Sequence, residues 1–175
     1  HDPAARAAIA LAAALIAAQL GLGAARADSS TATLAIRAQG KSVDVELRGP
    51  AAYLVGFERA PRTAEERATL ALAAENLRSG DALVRFNPEA ACRLEQGRVD
   101  ADPAPKATAD AAPGELGASW GFVCDFPDRL DSAALGLFVG FPGLARTHVR
   151  YELGPIRGEA VLTPANPVVT FVPLQ

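Results

Sequence analysis

The chain has 175 residues, half of them hydrophobic, and a formal net charge of −3 at neutral pH. Lysine occurs only at Lys41 and Lys106 and no basic run is present, which argues against nucleic acid and anionic membrane surfaces as partners. With two cysteines and two histidines, the chain also lacks the ligand set of a cysteine-rich zinc domain.

The first readable segment is an apolar leader, residues 7–25, entered through Arg6 and followed by Ala25-Arg26-Ala27 ahead of Asp28. A charged start, a long Ala/Leu/Ile stretch and small residues two apart form the pattern of an export signal. A helix of that length would also span a bilayer if left uncleaved. Against an anchor, Ala dominates the stretch and Gln19 and two glycines interrupt it. The expected organisation is a signal peptide at residues 1–27, which includes His1, and a single β-rich domain at residues 28–175. The part expected to be exported is long enough to bury a core. Its net charge is about −4, a contribution to solubility.

A hairpin comes next. Leu34, Ile36 and Ala38 alternate with polar or small residues, as do Val43, Val45 and Leu47, and Gln39-Gly40 joins the two runs. Gly49-Pro50 is expected to end the second strand, because proline cannot donate to a ladder. Thr63 and Glu66 form a capping box for a helix running to Arg78, with Ala68, Leu72 and Leu77 as its apolar positions and Ser79-Gly80 as its stop. Residues 83–86, 92–99, 119–126, 147–153, 159–162 and 168–172 read as strands. The expected class is α+β: a predominantly antiparallel, sandwich-like β structure, one main packed helix and the N-terminal signal helix.

Residues 100–117 are rich in Ala, Pro and Asp and poor in large apolar side chains, so they read as a mobile loop. Cys92 and Cys124 flank this loop, and an exported chain meets an oxidising compartment. They are expected to form a disulfide, pinning the loop at its base and stabilising the fold by about 3–4 kcal/mol. The alternative, a metal or redox pair, lacks the close spacing of such sites. Asp100, Asp102, Asp110 and Glu115 are scattered carboxylates on the loop, poor ligands for a divalent ion.

Gly117-Ala118-Ser119-Trp120-Gly121 fits the G-x-S-x-G string of a nucleophile elbow, and Asp125, Asp128 or Asp131 and then His148 follow in hydrolase order. An elbow needs a strand, a tight turn and a helix. Here a Pro/Asp-rich loop precedes Ser119 and a β-like run follows it, so the chain is read as non-enzymatic, with no catalytic residue. His148 falls on the polar face of its strand beside Arg150. It is a surface histidine on this reading, and the sole histidine candidate for a metal ligand beyond the leader.

Residues 50–61, Pro-Ala-Ala-Tyr-Leu-Val-Gly-Phe-Glu-Arg-Ala-Pro, resemble the "PAxNLVGFEHAP" signature of the ZrgA-like family of periplasmic proteins, long catalogued as a domain of unknown function. Leu54, Val55, Gly56, Phe57 and Glu58 carry the core of that match. Phe141-Pro142-Gly143-Leu144 and Leu162-Thr163-Pro164-Ala165-Asn166-Pro167 agree in order with the same family. The resemblance implies a periplasmic protein associated with zinc, expressed with zinc-uptake systems and supporting delivery of the metal to an importer. Such relatives carry histidines just after the leader, in the signature and in the central loop. This chain has Asp28-Ser29-Ser30-Thr31, Arg59 and residues 100–117 there. Imidazole is the side chain that would hold zinc at neutral pH. The expected function is therefore an accessory protein of zinc homeostasis that has lost most of its ligands and binds zinc weakly if at all, with a periplasmic component of a zinc-uptake system as partner. The alternative is an envelope binding or scaffolding module without metal, for which Tyr53, Phe57 and Phe141 are candidate contact residues.

Overall fold

The computed structural model describes residues 30–104 and 114–171; the expected signal helix and residues 105–113 of the expected loop lie outside them. The chain forms β1 (Thr31–Gln39), β2 (Ser42–Pro50), a short helix α1 (Ala51–Leu54), the long helix α2 (Ala64–Arg78), a helical turn α3 (Gly80–Leu83) and β3 (Val84–Phe86). It continues through β4 (Cys92–Asp100), β5 (Glu115–Cys124), β6 (Ser132–Leu135), α4 (Leu137–Gly140), β7 (Arg146–Leu153), β8 (Ile156–Leu162) and β9 (Val168–Thr170). Six strands form one sheet in the order β4-β5-β2-β1-β7-β8, and a second sheet has the order β3-β6-β9. Every pairing is antiparallel except that of β1 with β7. Among the described residues the class is α+β, mostly antiparallel, with one long helix, as the residue pattern implies.

The alternation in β1 and β2 decides which face of the large sheet is buried. Ala32, Leu34 and Ile36 of β1 and Val43, Val45 and Leu47 of β2 are buried, while Arg37, Asp44, Glu46 and Arg48 are exposed. Trp120 and Phe122 of β5 and Val149 and Tyr151 of β7 extend the buried face. These side chains join residues of the smaller sheet and the helices in one hydrophobic cluster, each large one contributing about 1.5–3 kcal/mol. In the hairpin, Gln39 pairs with Ser42 around a two-residue turn whose Gly40 has φ +57. That left-handed backbone carries no steric cost for glycine.

Helix α2 begins as its sequence specifies: Thr63 Oγ1 accepts from the Glu66 N–H at 3.1 Å and the Glu66 carboxylate accepts from the Thr63 N–H. Its buried face differs from expectation. Ala73, Ala74 and Leu77 are buried with Leu70 partly so, whereas Ala68 is exposed and Leu72 is 62% exposed. The set 70, 73, 74, 77 has the three- and four-residue spacing of one helix face; the set 68, 72, 77 drifts away from it. Trp120 Nε1 donates to the Leu77 carbonyl at 2.9 Å, tying α2 to the sheet.

Four further details correct the expected layout. β2 does not stop before Gly49-Pro50: these residues pair with Leu116 and Glu115 of β5 after the β1 ladder has ended at Arg48. Proline is tolerated there because its missing N–H lies on the side of β2 where the β1 ladder has ended and the strand is an open edge. The loop after β4 is shorter than residues 100–117, since Asp100 pairs with Gly117 and residues 115–117 belong to β5. Residues 132–135 form a strand, and the segment expected as a strand from residue 83 starts at Val84, Leu83 closing a helical turn.

Candidate functional site

The outer face of the six-stranded sheet carries Asp100, Ser119 and His148 among the polar candidates, together with rows of charged side chains. Cross-strand register places them in rows. One row runs Arg98, Ser119, Glu46, Ala35, Arg150, Glu159; the next runs Gln96, Gly121, Asp44, Arg37, Glu152, Arg157. A third runs Asp100, Gly117, Arg48, Thr33, His148, Val161. Opposite charges alternate along and between rows. Arg157 meets Glu152 at 2.8 Å, Arg48 meets Glu46 at 3.4 Å and Asp100 at 3.5 Å, and Arg150 meets Glu159 at 3.7 Å. These pairs are exposed, so each adds little to stability. The small side chains of Ala35 and Thr33 leave a shallow depression of about 500 Å³ edged by Arg37, Glu46, Arg48, His148, Arg150 and Glu152.

His148 stands in this face opposite Thr33 and Val161, with Arg146 and Arg150 two residues away on the same side of its strand. None of these neighbours is a metal ligand, and the arginines oppose a cation. Among the described residues no group of three or more His, Cys, Asp or Glu is arranged to hold a metal ion.

Ser119 lies within β5, exposed and opposite Glu46 and Arg98. Strand surrounds it where an elbow needs a sharp turn. His148 is three strands away, about 14 Å by strand spacing. Asp125 is held by Arg93 at 2.7 Å, an interaction that also keeps its pKa below the usual value. The serine, histidine and aspartate candidates are thus not brought together.

Cys92 and Cys124 are directly opposite in β4 and β5 and joined by a disulfide. The bond does not sit at the base of the loop. It closes the other end of the hairpin, about eight residues along both strands from Asp100 and Gly117. The base is held instead by strand pairing, by Arg48 on Asp100 and by the Ala51 N–H donating to the Gly114 carbonyl at 2.8 Å.

The signature residues form an elbow between β2 and α2. Val55 is buried at the end of α1, and Gly56 turns the chain at φ +88, a conformation that disfavours any side chain. Leu54 and Phe57 pack partly against the core, and Glu58 is exposed. Arg59 then reaches α2: its two terminal nitrogens donate to both oxygens of Glu66 at 2.8 and 2.6 Å, and its guanidinium lies 5.7 Å from the Phe57 ring centre. The Arg59 hydrogen bonds, followed by the Arg62 N–H, hold the Glu66 carboxyl down at about 2. Glu66 therefore serves both as helix cap and as the fastening point of the signature. Tyr53 is 39% exposed beside this elbow, whereas Phe141 is 2% exposed and belongs to the core.

The polar sides of β2 and β7 were legible as alternation. The rows were not, because they depend on which strands lie side by side. Arg48, Arg98 and Glu46 become candidates only once β4, β5 and β2 are seen to be neighbours.

No described helix is long and apolar enough to cross a membrane. No curated protein matches the chain. A family model described as ZrgA family zinc uptake protein matches residues 28–171, a span that takes in every strand and helix described above, so the chain belongs to the ZrgA family of zinc uptake proteins.

Proposed function

We propose that this protein is a non-enzymatic periplasmic accessory component of zinc uptake, exported by a signal peptide at residues 1–27, that acts through protein contact with the uptake system. The family match over residues 28–171 carries this reading. The sheet face supports it: a broad, flat surface of exposed, interleaved charges suits a transient polar contact. The disulfide supports it as well, since it commits both thiols to the fold and leaves neither to bind cargo.

Deleting the gene and growing cells under zinc chelation tests the role. Lower cell zinc and slower growth, both restored by the intact gene or by added zinc, are expected; normal zinc content in the deletion strain overturns it. The second reading, an envelope module without metal, draws on the arginines that flank His148. Calorimetric titration of the exported, oxidised protein with zinc bears on the choice. Heat that disappears in His148→Ala would make His148 a ligand and remove the second, metal-free reading.

A further inference from the structure

β8 is the edge strand at one end of the large sheet. Proteins guard sheet edges with short strands, bulges or covering elements. β3 and β9, which end the smaller sheet, have three residues each. β4, the other end of the large sheet, has an irregular register between Leu94 and Gln96 and lies against α2. β8 has seven residues in unbroken register with β7. No strand of the described residues pairs with its other side.

Its register shows which groups that side offers. Leu153 pairs with Ile156 across the turn at Gly154-Pro155. Counted from that closing pair, the antiparallel ladder points the N–H and C=O groups of Gly158 and Ala160 towards β7, and those of Arg157 and Glu159 away from it. Arg157 and Glu159 have exposed side chains on the polar face, each already beside an opposite charge of β7.

We propose that β8 pairs with β8 of a second copy of this chain, antiparallel about Gly158, so that Arg157 of each copy stands opposite Glu159 of the other. The charge pattern selects this partner and this register. Along the joined sheet the row Asp44, Arg37, Glu152, Arg157 continues into Glu159, Arg150 of the second copy, and the alternation of sign is unbroken at the seam. A shift that centres the pairing on Glu159 would set that carboxylate against itself, which is unfavourable for directly opposed strand residues. The two-fold axis stands perpendicular to the sheet, so both polar faces lie on one side of a continuous surface. Strand pairing alone buries little area, and the dimer is therefore weak and concentration-dependent.

Sedimentation equilibrium of the protein recovered after export, over a wide concentration range, tests this. A monomer–dimer equilibrium is expected for the wild type. Arg157→Glu and Glu159→Arg should each be monomeric, because each opposes like charges across the axis. An equimolar mixture of the two should dimerise again, since the paired carboxylates of one variant then meet the paired guanidinium groups of the other. Glu159→Pro removes an outward N–H without breaking the β7 ladder, and should be monomeric with an unchanged circular dichroism spectrum. A wild type that stays monomeric, a dimer indifferent to these changes, or single variants that fail to recombine would overturn the proposal.

Discussion

At the scale of single residues, Glu66 shows how one side chain can join two features that look separate in the sequence. The capping box is readable from Thr63 and Glu66 alone, because its geometry is local to one helical turn. The bond from Arg59 is not, since it needs the bend at Gly56 to carry the signature back over the helix start. The coupling leaves a mark on acid stability. The folded pKa of Glu66, about 2, lies below its ordinary value of 4.5, so the folded state releases the proton more readily than the unfolded chain. The carboxylate's contribution is complete above about pH 4.5 and is lost as pH falls towards about 2. Urea titrations at a series of pH values should therefore show wild type more stable than Glu66→Gln near neutrality, with the gap closing across that window. A gap of constant size would mean that the carboxylate charge is not what fastens the elbow.

At the scale of elements, legibility followed the range of the interaction. The β1–β2 hairpin, helix α2 and strands β4, β7 and β9 could be read because turn, cap and alternation lie within a few residues of one another. The parallel pairing of β1 with β7 joins segments more than a hundred residues apart, and no local pattern encodes it. The four-residue strand β6 and the helical turns α1, α3 and α4 are too short to show a period. The cysteines illustrate both sides. Their pairing followed from the expected export, but their position at the end of the β4–β5 hairpin away from its loop required the register. Crosslinking about 33 residues of unfolded chain is worth about 3–4 kcal/mol. Reduction, or replacement of both cysteines by alanine, should lower the melting temperature by about 10 °C for a chain of this size. Because strand pairing holds the loop base independently of the bond, proteolysis at the loop should change little while the fold remains intact. Selective cleavage of the loop in the folded, reduced protein would show that the disulfide restrains it after all.

At the scale of the whole molecule, the two faces of the large sheet carry different demands. The inner face is constrained by packing, so its alternation was visible as a core. The outer face is constrained only by which charges lie together, and its meaning appears when β4, β5, β2, β1, β7 and β8 stand side by side. Exposed pairs such as Arg48 with Glu46 contribute little to folding, which makes stability and function separable there. Replacing Glu46, Arg48 and Arg98 with alanine removes charge from the part of the face remote from β8, and should change folding stability by less than about 1 kcal/mol, as surface changes do. If this face meets the uptake system, the triple variant should be exported and folded normally, yet fail to restore growth of a deletion strain under zinc chelation. The same substitutions should leave the β8 dimer unchanged, because none lies in β7 or β8. Full restoration of growth by the folded variant would remove this region of the sheet as the contact surface, and would direct attention to the exposed Tyr53 beside the signature elbow.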